Sequence, residues 1–335
     1  MKFLFLLIMV VSFCTNAVAQ DINFSQFYEL PLLRNPALAG FYEGDVRATA
    51  AYRNQWNSVT VPYVTQALGV ELRLTRNENA GAQVSVGLQL TNDVAGDSKL
   101  GKTQVLPVLA IHKRIDELSN TYISLGFMGG PVQQRFDPTK LSFDDQFVNG
   151  AYSATNPTQQ TFTNTNKTYY DASVGLVLSS TLANDVKYYL GAALYHVHKP
   201  KVAFATNSDI QLNRKITFNA GLSAPFSDYN TLTLYADYFR QGGNSQAQGG
   251  FMYKHDLVQM DDQEAISLSL GSFLRWNDAV IPMIKLDYYE LGIGITYDAN
   301  ISKLKSASQS RGSYEVTLTY RNFLNNRRGI PCPGF

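Results

Sequence analysis

Cysteine is nearly absent from this chain. It has two, Cys14 and Cys332. Cys14 falls inside an N-terminal leader, so one thiol would remain after processing and no internal disulfide is available. Charge is also sparse, at 16% of residues, and it balances, with 28 Lys and Arg against 27 Asp and Glu. A neutral chain without a basic excess excludes nucleic acid as a partner. After the leader, no apolar run approaches the roughly 20 residues of a membrane-spanning helix. Stability and any membrane contact must therefore come from another architecture.

The leader itself reads as an export signal. Lys2 is followed by the apolar run Phe3 to Val11 and by Ala17-Val18-Ala19, a small-x-small cleavage box. Residues 1–19 are expected to be removed, leaving Gln20 first. The apolar stretch is too short for an anchor helix. Phe13 before Cys14 argues against a lipoprotein signal.

Aromatics are plentiful, at 12% with 20 tyrosines. The dominant pattern is alternation with a period of two, over segments of about ten residues, the length of a tilted strand crossing a bilayer. Val84, Val86, Leu88 and Leu90 alternate with Gln83, Ser85, Gly87 and Gln89. Similar alternation runs through Ile266–Gly271, Leu291–Tyr297 and Ser313–Tyr320. Each such strand has one oily and one wet face. A soluble sandwich shares that pattern. Aromatics at strand ends (Tyr188-Tyr189, Tyr288-Tyr289, Tyr320), small residues on the wet face, and connections alternating between long and short favour a membrane barrel.

The expected fold is an all-β transmembrane antiparallel barrel of about 14 strands, an even number as bacterial barrels require. The expected spans are Val46–Trp56, Tyr63–Arg73, Ala82–Asp93, Thr103–Arg114, Asn120–Gly130, Tyr169–Ser180 and Lys187–His198. They continue as Arg214–Ala224, Thr231–Arg240, Ala247–His255, Ala265–Arg275, Ala279–Tyr288, Leu291–Asp298 and Gly312–Phe323. Residues 46–323 form the barrel, 20–45 a periplasmic or lumen-facing segment, and 324–335 a periplasmic tail. Pro107 and Pro282 lie within strands, lack a ladder donor and are expected to mark bulges. Arg53, Lys285, Asp287, Glu315 and Arg321 are expected to face the lumen, because Arg or Lys on the lipid face costs up to about 2–4 kcal/mol at the midplane.

Candidate chemistry is thin. His196 and His198 are spaced to share a strand face, but no further His or Cys lies nearby, and lumen-facing polar roles suit them better than a metal site. Asp144-Asp145 and Asp261-Asp262-Gln263-Glu264 lack the ligand spacing of a calcium loop. His255-Asp256 is a lone dipeptide, too little for an acid–base protease. Gly292-Ile293-Gly294 lacks a third glycine and a helix start, so packing is its reading. No cofactor is expected.

Several stretches carry a family resemblance. Gln20-Asp21, Phe24-Ser25-Gln26-Phe27-Tyr28, Asn35-Pro36-Ala37-Leu38-Ala39-Gly40 and Tyr52-Arg53-Asn54-Gln55-Trp56 open the mature chain. Tyr297-Asp298-Ala299-Asn300-Ile301-Ser302-Lys303-Leu304, then Gly312, Tyr314 and Glu315, follow near the other end, with Pro331-Cys332-Pro333-Gly334-Phe335 last. Together they resemble the PorP/SprF family of outer-membrane proteins of the type IX secretion and gliding machinery. The resemblance implies an outer-membrane barrel, surrounded by lipid, that contacts periplasmic parts of the machine. It also implies help in exporting or anchoring a cell-surface adhesin with a C-terminal secretion signal, and no catalysis. Both termini are then expected on the periplasmic side. Candidate partner-facing or lumen-facing residues are Phe24, Gln26, Phe27, Asn35, Pro36, Gly40, Arg53, Gln55, Trp56, Asp298, Asn300, Cys332 and Phe335. The alternative is a passive channel for small solutes.

Overall fold

The computed structural model describes residues 21–55, 61–74, 81–148, 150–153, 155–162, 164–204, 209–260, 263–302 and 311–324. Trp56, Cys332 and Phe335 lie outside them, as do the leader and the end of the tail.

Fourteen antiparallel strands close into a barrel. In chain order they are β1 (Val46–Gln55), β2 (Tyr63–Arg73), β3 (Ala82–Ala95), β4 (Leu100–Asp116) and β5 (Thr121–Arg135). A small hairpin, β6 (Phe147–Val148) and β7 (Ala151–Tyr152), sits in the long connection that follows. The wall resumes with β8 (Asn166–Thr181), β9 (Lys187–Tyr195), β10 (Lys215–Ser227), β11 (Asn230–Gln241) and β12 (Asn244–Met260). It ends with β13 (Gln263–Arg275), β14 (Ala279–Tyr288), β15 (Leu291–Asn300) and β16 (Arg311–Asn322). Each strand pairs with its neighbours in sequence, and β1 pairs with β16, with Arg53 opposite Glu315, so the wall has no free edge. In hydrocarbon this closure pairs the backbone donors and acceptors of the wall.

Alternation sets the two faces. Leu109, Ile111, Leu125, Phe127, Leu176, Leu234, Leu270, Ile284, Ile293 and Leu318 are exposed on the outside. Between them Gln104, His112, Ser124, Ser173, Thr233, Lys285, Glu315 and Thr317 are buried inside. Such an inverted surface is unfavourable in water and favourable in lipid.

The expected spans and the observed strands agree closely, with instructive departures. β9 stops at Tyr195, short of His198, because His196 takes a φ of 55° and turns into the lumen. Thus His196 and His198 do not share a strand face. Pro107 and Pro282 are not bulges. Register continues through Pro107 opposite Leu88 and through Pro282 opposite Ser272. On the other side the pairing lapses briefly without shifting, so the missing N–H is absorbed by an open rung. The long connections 136–165 and 196–214 lie at one end of the barrel. That end also carries the tight turns Gly242-Gly243 and Trp276–Asp278, so length alternation is only partial. We call it the long-loop end. The opposite turn end holds Val46 and Asn322.

Candidate functional site

The lumen holds the chain's own N-terminal segment, residues 21–45. It has turn signals rather than periodicity, and folds as three single turns: Phe27–Glu29, Pro31–Arg34 and Pro36–Leu38. Asn35 caps the last, its Oδ1 accepting the Ala37 N–H at 2.9 Å. Gly40, at φ +76°, reverses the chain with the positive φ that glycine accepts without strain. The segment runs from Asp21, near Lys102 and Gln241 at the long-loop end, to Asp45, whose N–H donates to the Asn322 carbonyl at the turn end. This stretch was expected to be periplasmic or lumen-facing; it spans the lumen, where its charged and aromatic side chains find partners on all sides of the wall.

Three docking regions hold it. The first is a glycine notch. Gly126, Gly175 and Gly191 face inward from β5, β8 and β9, and a Cβ on the first two would collide with the Ala37 nitrogen and Asn35 Oδ1. Asn35 Nδ2 donates to the carbonyls of Leu176 and Ala192, each at 3.2 Å. Here Pro36 starts its turn against bare backbone.

The second is a buried ion cluster around Ser25 and Gln26. The Glu315 carboxylate accepts the Ser25 and Gln26 N–H groups at 2.8 and 2.7 Å. Arg53 lies 3.3 Å from Glu315 and 3.0 Å from Asp298, which also meets Arg275 at 3.1 Å. Ser25 Oγ donates to Asp298 at 2.6 Å and accepts from Arg53 and Arg275. Gln26 Nε2 donates to the Gly294 and Glu315 carbonyls, and its Oε1 accepts from Thr317.

The third region is aromatic. Phe27 and Tyr28 pack on Phe273 and Tyr235, with Tyr28 stacked on both rings at 5.0 and 5.5 Å. Arg34 sits against Phe27, Tyr189 and Tyr235 and forms a bidentate pair with Asp237.

Further pairs complete the contact. Glu29 meets Lys285 at 2.7 Å, Gly40 N donates to Glu71 at 2.9 Å, and the Ala39 carbonyl meets His112 at 2.9 Å. Leu32 packs in the cluster of Leu106, Val108 and Met128. Phe24 lies with Ala51 and Ala67. Thr217 donates to the Arg34 carbonyl, and Asn23 reaches Gln248. Ser85 abuts Gly40. Every strand of the wall therefore touches the segment.

Of the sequence-derived candidates, Phe24, Gln26, Phe27, Asn35, Pro36, Gly40, Arg53 and Asp298 join this buried assembly. Gln55 is half-buried, while Asn300 caps the next loop by accepting from Ser302. Sequence reading missed Asp21, Asp171, Lys102, Arg34, Asp237 and the glycine trio, and gave His196 only a general lumen-facing polar role. His196 is gripped between Asp21 and Asp171, at 2.7 and 2.8 Å. Asp21 also meets Lys102 at 3.0 Å. His198 is exposed and meets only the Tyr170 carbonyl among the described residues. His255 points outward and Asp256 inward on β12, so they form no acid–base pair. Asp145 accepts from Thr158 and Gln159 in the long loop. No group of metal-ligating side chains occurs among the described residues.

Two charges at the segment respond to pH in opposite directions. Burial raises the Glu29 carboxyl, but Lys285, Arg321 and Thr319 outweigh it and hold it at about 2. Burial lowers His196, but the Asp21 charge and the hydrogen bonds of both carboxylates carry it up to about 9. A depressed carboxyl stabilises the packed segment above its ordinary pKa of about 4.5, and this is lost as pH falls toward 2. A raised imidazole stabilises it below about 6.5, and this is lost as pH climbs through about 9. Protease resistance of residues 21–45 should therefore lose the Glu29 contribution below about pH 4.5 and the His196 contribution above about pH 6.5. A flat profile from pH 3 to 10 would contradict these pairings.

The model of the family described as "Type IX secretion system membrane protein PorP/SprF" matches residues 16–320. No curated protein matches the chain. Among solved structures, the toluene transporter TbuX of Ralstonia pickettii is 10% identical with a TM-score of 0.49, covering 88% of this chain and 94% of that one. The translocator domain of autotransporter NalP from Neisseria meningitidis is 12% identical with a TM-score of 0.44, covering 89% and 95%. The CymD monoaromatic hydrocarbon channel is 12% identical with a TM-score of 0.47, covering 89% and 94%. The closed barrel and the family together point to the outer membrane. This chain belongs to the PorP/SprF family of type IX secretion system membrane proteins.

Proposed function

We propose that this barrel is a closed, non-catalytic component of the type IX machinery that assists export or anchoring of a cell-surface protein through protein contacts. The observation that supports this over a solute channel is the filled lumen. The segment lies across the bore, contacts every strand, and buries Ser25, Gln26, Asn35, Ala37 and Ala39 completely. An open diffusive pore needs a clear bore, whereas a partner-binding scaffold gains rigidity from the internal segment.

The outer surface supports the same reading. The long connection 136–165 is ordered around Phe136, Phe143, Phe162 and, from the next loop, Phe204, with ring centroids 4.8 to 5.6 Å apart. It presents the β6–β7 hairpin, with Phe147, Val148 and Tyr152 exposed. Apolar side chains on a loop rim are the material of protein interfaces. The surface partner is expected to be an adhesin bearing a C-terminal secretion signal, and the periplasmic partner a protein of the secretion machine.

The test joins two measurements. Purified wild-type barrel in a planar bilayer should show no steady openings. The double substitution F147S/Y152S should cut recovery of the surface adhesin with the tagged barrel at least about tenfold, the loss expected from two truncated interface anchors. Large steady conductance in the wild type, with unchanged adhesin recovery in the variant, would favour the solute channel.

A further inference from the structure

Outward positions of the wall are mostly bulky, but on three adjacent strands they shrink together. Ala220 of β10 pairs with Ala236 of β11, which pairs with Gly249 of β12. The result is a groove of about 610 Å³ in the outer face, between Leu190 of β9 and Leu274 of β13. Where bilayer hydrocarbon meets the wall, a hollow of this size is filled, because an empty one forfeits dispersion contacts on every side. Its mouth faces the long-loop end. There Ala247 lies between Tyr238 and Trp276, both exposed. Their strands are two spacings apart, about 10 Å, before the rings take their share. A helix with its side chains is about 10–12 Å across and does not pass. A single acyl chain does.

Beyond the rings the outer face turns cationic. Arg240 stands opposite Ile216 in the β10–β11 ladder, and Arg214 precedes Ile216 by two residues, so the two arginines are diagonal neighbours about 7–8 Å apart. Both are exposed. Arg214 is steadied by donating Nε–H to the Val197 carbonyl at 2.9 Å. Arg240 has no hydrogen-bond or ion-pair partner among the described residues. A guanidinium at the membrane surface without an internal carboxylate takes its counter-charge from outside the protein, and its planar fork matches phosphate oxygens. We infer that the groove binds one phosphate-bearing lipid. Its headgroup sits on Arg214 and Arg240, and one acyl chain runs past Tyr238 and Trp276 onto Ala236 and Gly249. Arg240 and Ala236 are four residues apart on β11, about 13 Å of strand, so headgroup and chain belong to one molecule. The longer connections of such a barrel face the cell exterior, which makes it a lipid of the outer leaflet. The site lies outside the lumen and does not depend on the assembly reading.

The test uses the full mature barrel in detergent. The chain has two tryptophans, so Trp56→Phe leaves Trp276, on the rim of the groove, as the reporter. Phosphatidic acid with dibrominated acyl chains, which quench tryptophan on contact, is titrated into this background. The equally brominated phosphatidylcholine and diacylglycerol serve as comparisons, and heat-modifiable gel mobility confirms folding of each variant. Quenching should saturate with phosphatidic acid at a concentration at least about tenfold below that needed with either comparison lipid, as two arginines at the interface imply. R214Q/R240Q should erase that preference. Ala247→Leu, which narrows the passage between the rings, should remove the saturable quenching. Inorganic phosphate at the same concentration as the lipid should leave it unchanged. Equal quenching by the three lipids, a preference that survives R214Q/R240Q, unchanged saturation in folded Ala247→Leu, or full displacement by inorganic phosphate would overturn the inference.

Discussion

Gly175→Leu should turn a silent barrel into a conducting one. Gly175 lies on the inward face of β8, opposite Gly126 of β5, where Asn35-Pro36-Ala37 rests on the wall. A Cβ there collides with Asn35 Oδ1, and a leucine drives further into the turn. The strand itself has no objection. Gly175 is not among the glycines with a positive φ, so an L-residue fits its backbone. The penalty falls on the segment. Two hydrogen bonds from Asn35 are lost, at roughly 1 kcal/mol each, and forced overpacking adds about 1–3 kcal/mol. About 3 kcal/mol raises the unseated population more than a hundredfold. Heat-modifiable mobility should remain normal, showing an intact barrel, while planar bilayers record openings absent from the wild type. A folded Gly175→Leu barrel that stays silent would mean the notch does not seat the segment.

Arg53→Met should produce the largest loss of stability. Arg53 sits between Asp298 and Glu315, each almost fully buried, and also donates to Ser25. Removing the guanidinium leaves Arg275 to serve Asp298 and leaves Glu315 without an ion-pair partner among the described residues. Breaking one side of a buried ion pair costs about 3–5 kcal/mol, because the remaining charge is not resolvated. The urea midpoint of the detergent-solubilised barrel should fall accordingly. Neutralising the stranded acid tests the cause. The double variant R53M/E315Q should recover a substantial part of the loss, since it removes the uncompensated charge. If the two losses simply add, Arg53 acts by packing rather than by charge.

The wall was legible in the sequence because its physics is local. Alternation of period two follows from the pleat, and it located all fourteen strands to within a few residues. Tyr63–Arg73 and Ala279–Tyr288 were read to the residue. The inward place of Arg53, Lys285 and Glu315 followed from the cost of charge in lipid.

Residues 21–45 were not legible in this way. Asn35-Pro36 and Gly40 announced turns, but nothing local says where a turn docks. That depends on partners far away in sequence: Asp237 for Arg34, Glu315 for Ser25 and Gln26, and Gly175 for Asn35. Two signals pointed toward it. The segment carries Glu29 and Arg34 among apolar residues, with complementary Lys285 and Asp237 on inward positions. Gly126, Gly175 and Gly191 also fall on inward strand positions, where a small residue leaves room for something. His196 was read as a lumen-facing polar residue, but its turn and its two carboxylate partners were not, because the strand periodicity continues past the point where its backbone turns.

Amide hydrogen exchange of peptides from residues 21–45, in the folded wild-type barrel in detergent near pH 6, is the most direct measurement of the lumenal assembly. The Ser25 and Gln26 amides, bonded to Glu315, and the Ala37 amide, bonded to Asn35, should exchange as slowly as amides of the neighbouring strands. Exchange of the whole stretch at the rate of a free chain, with the strands still protected, would contradict a barrel filled by its own N-terminal segment.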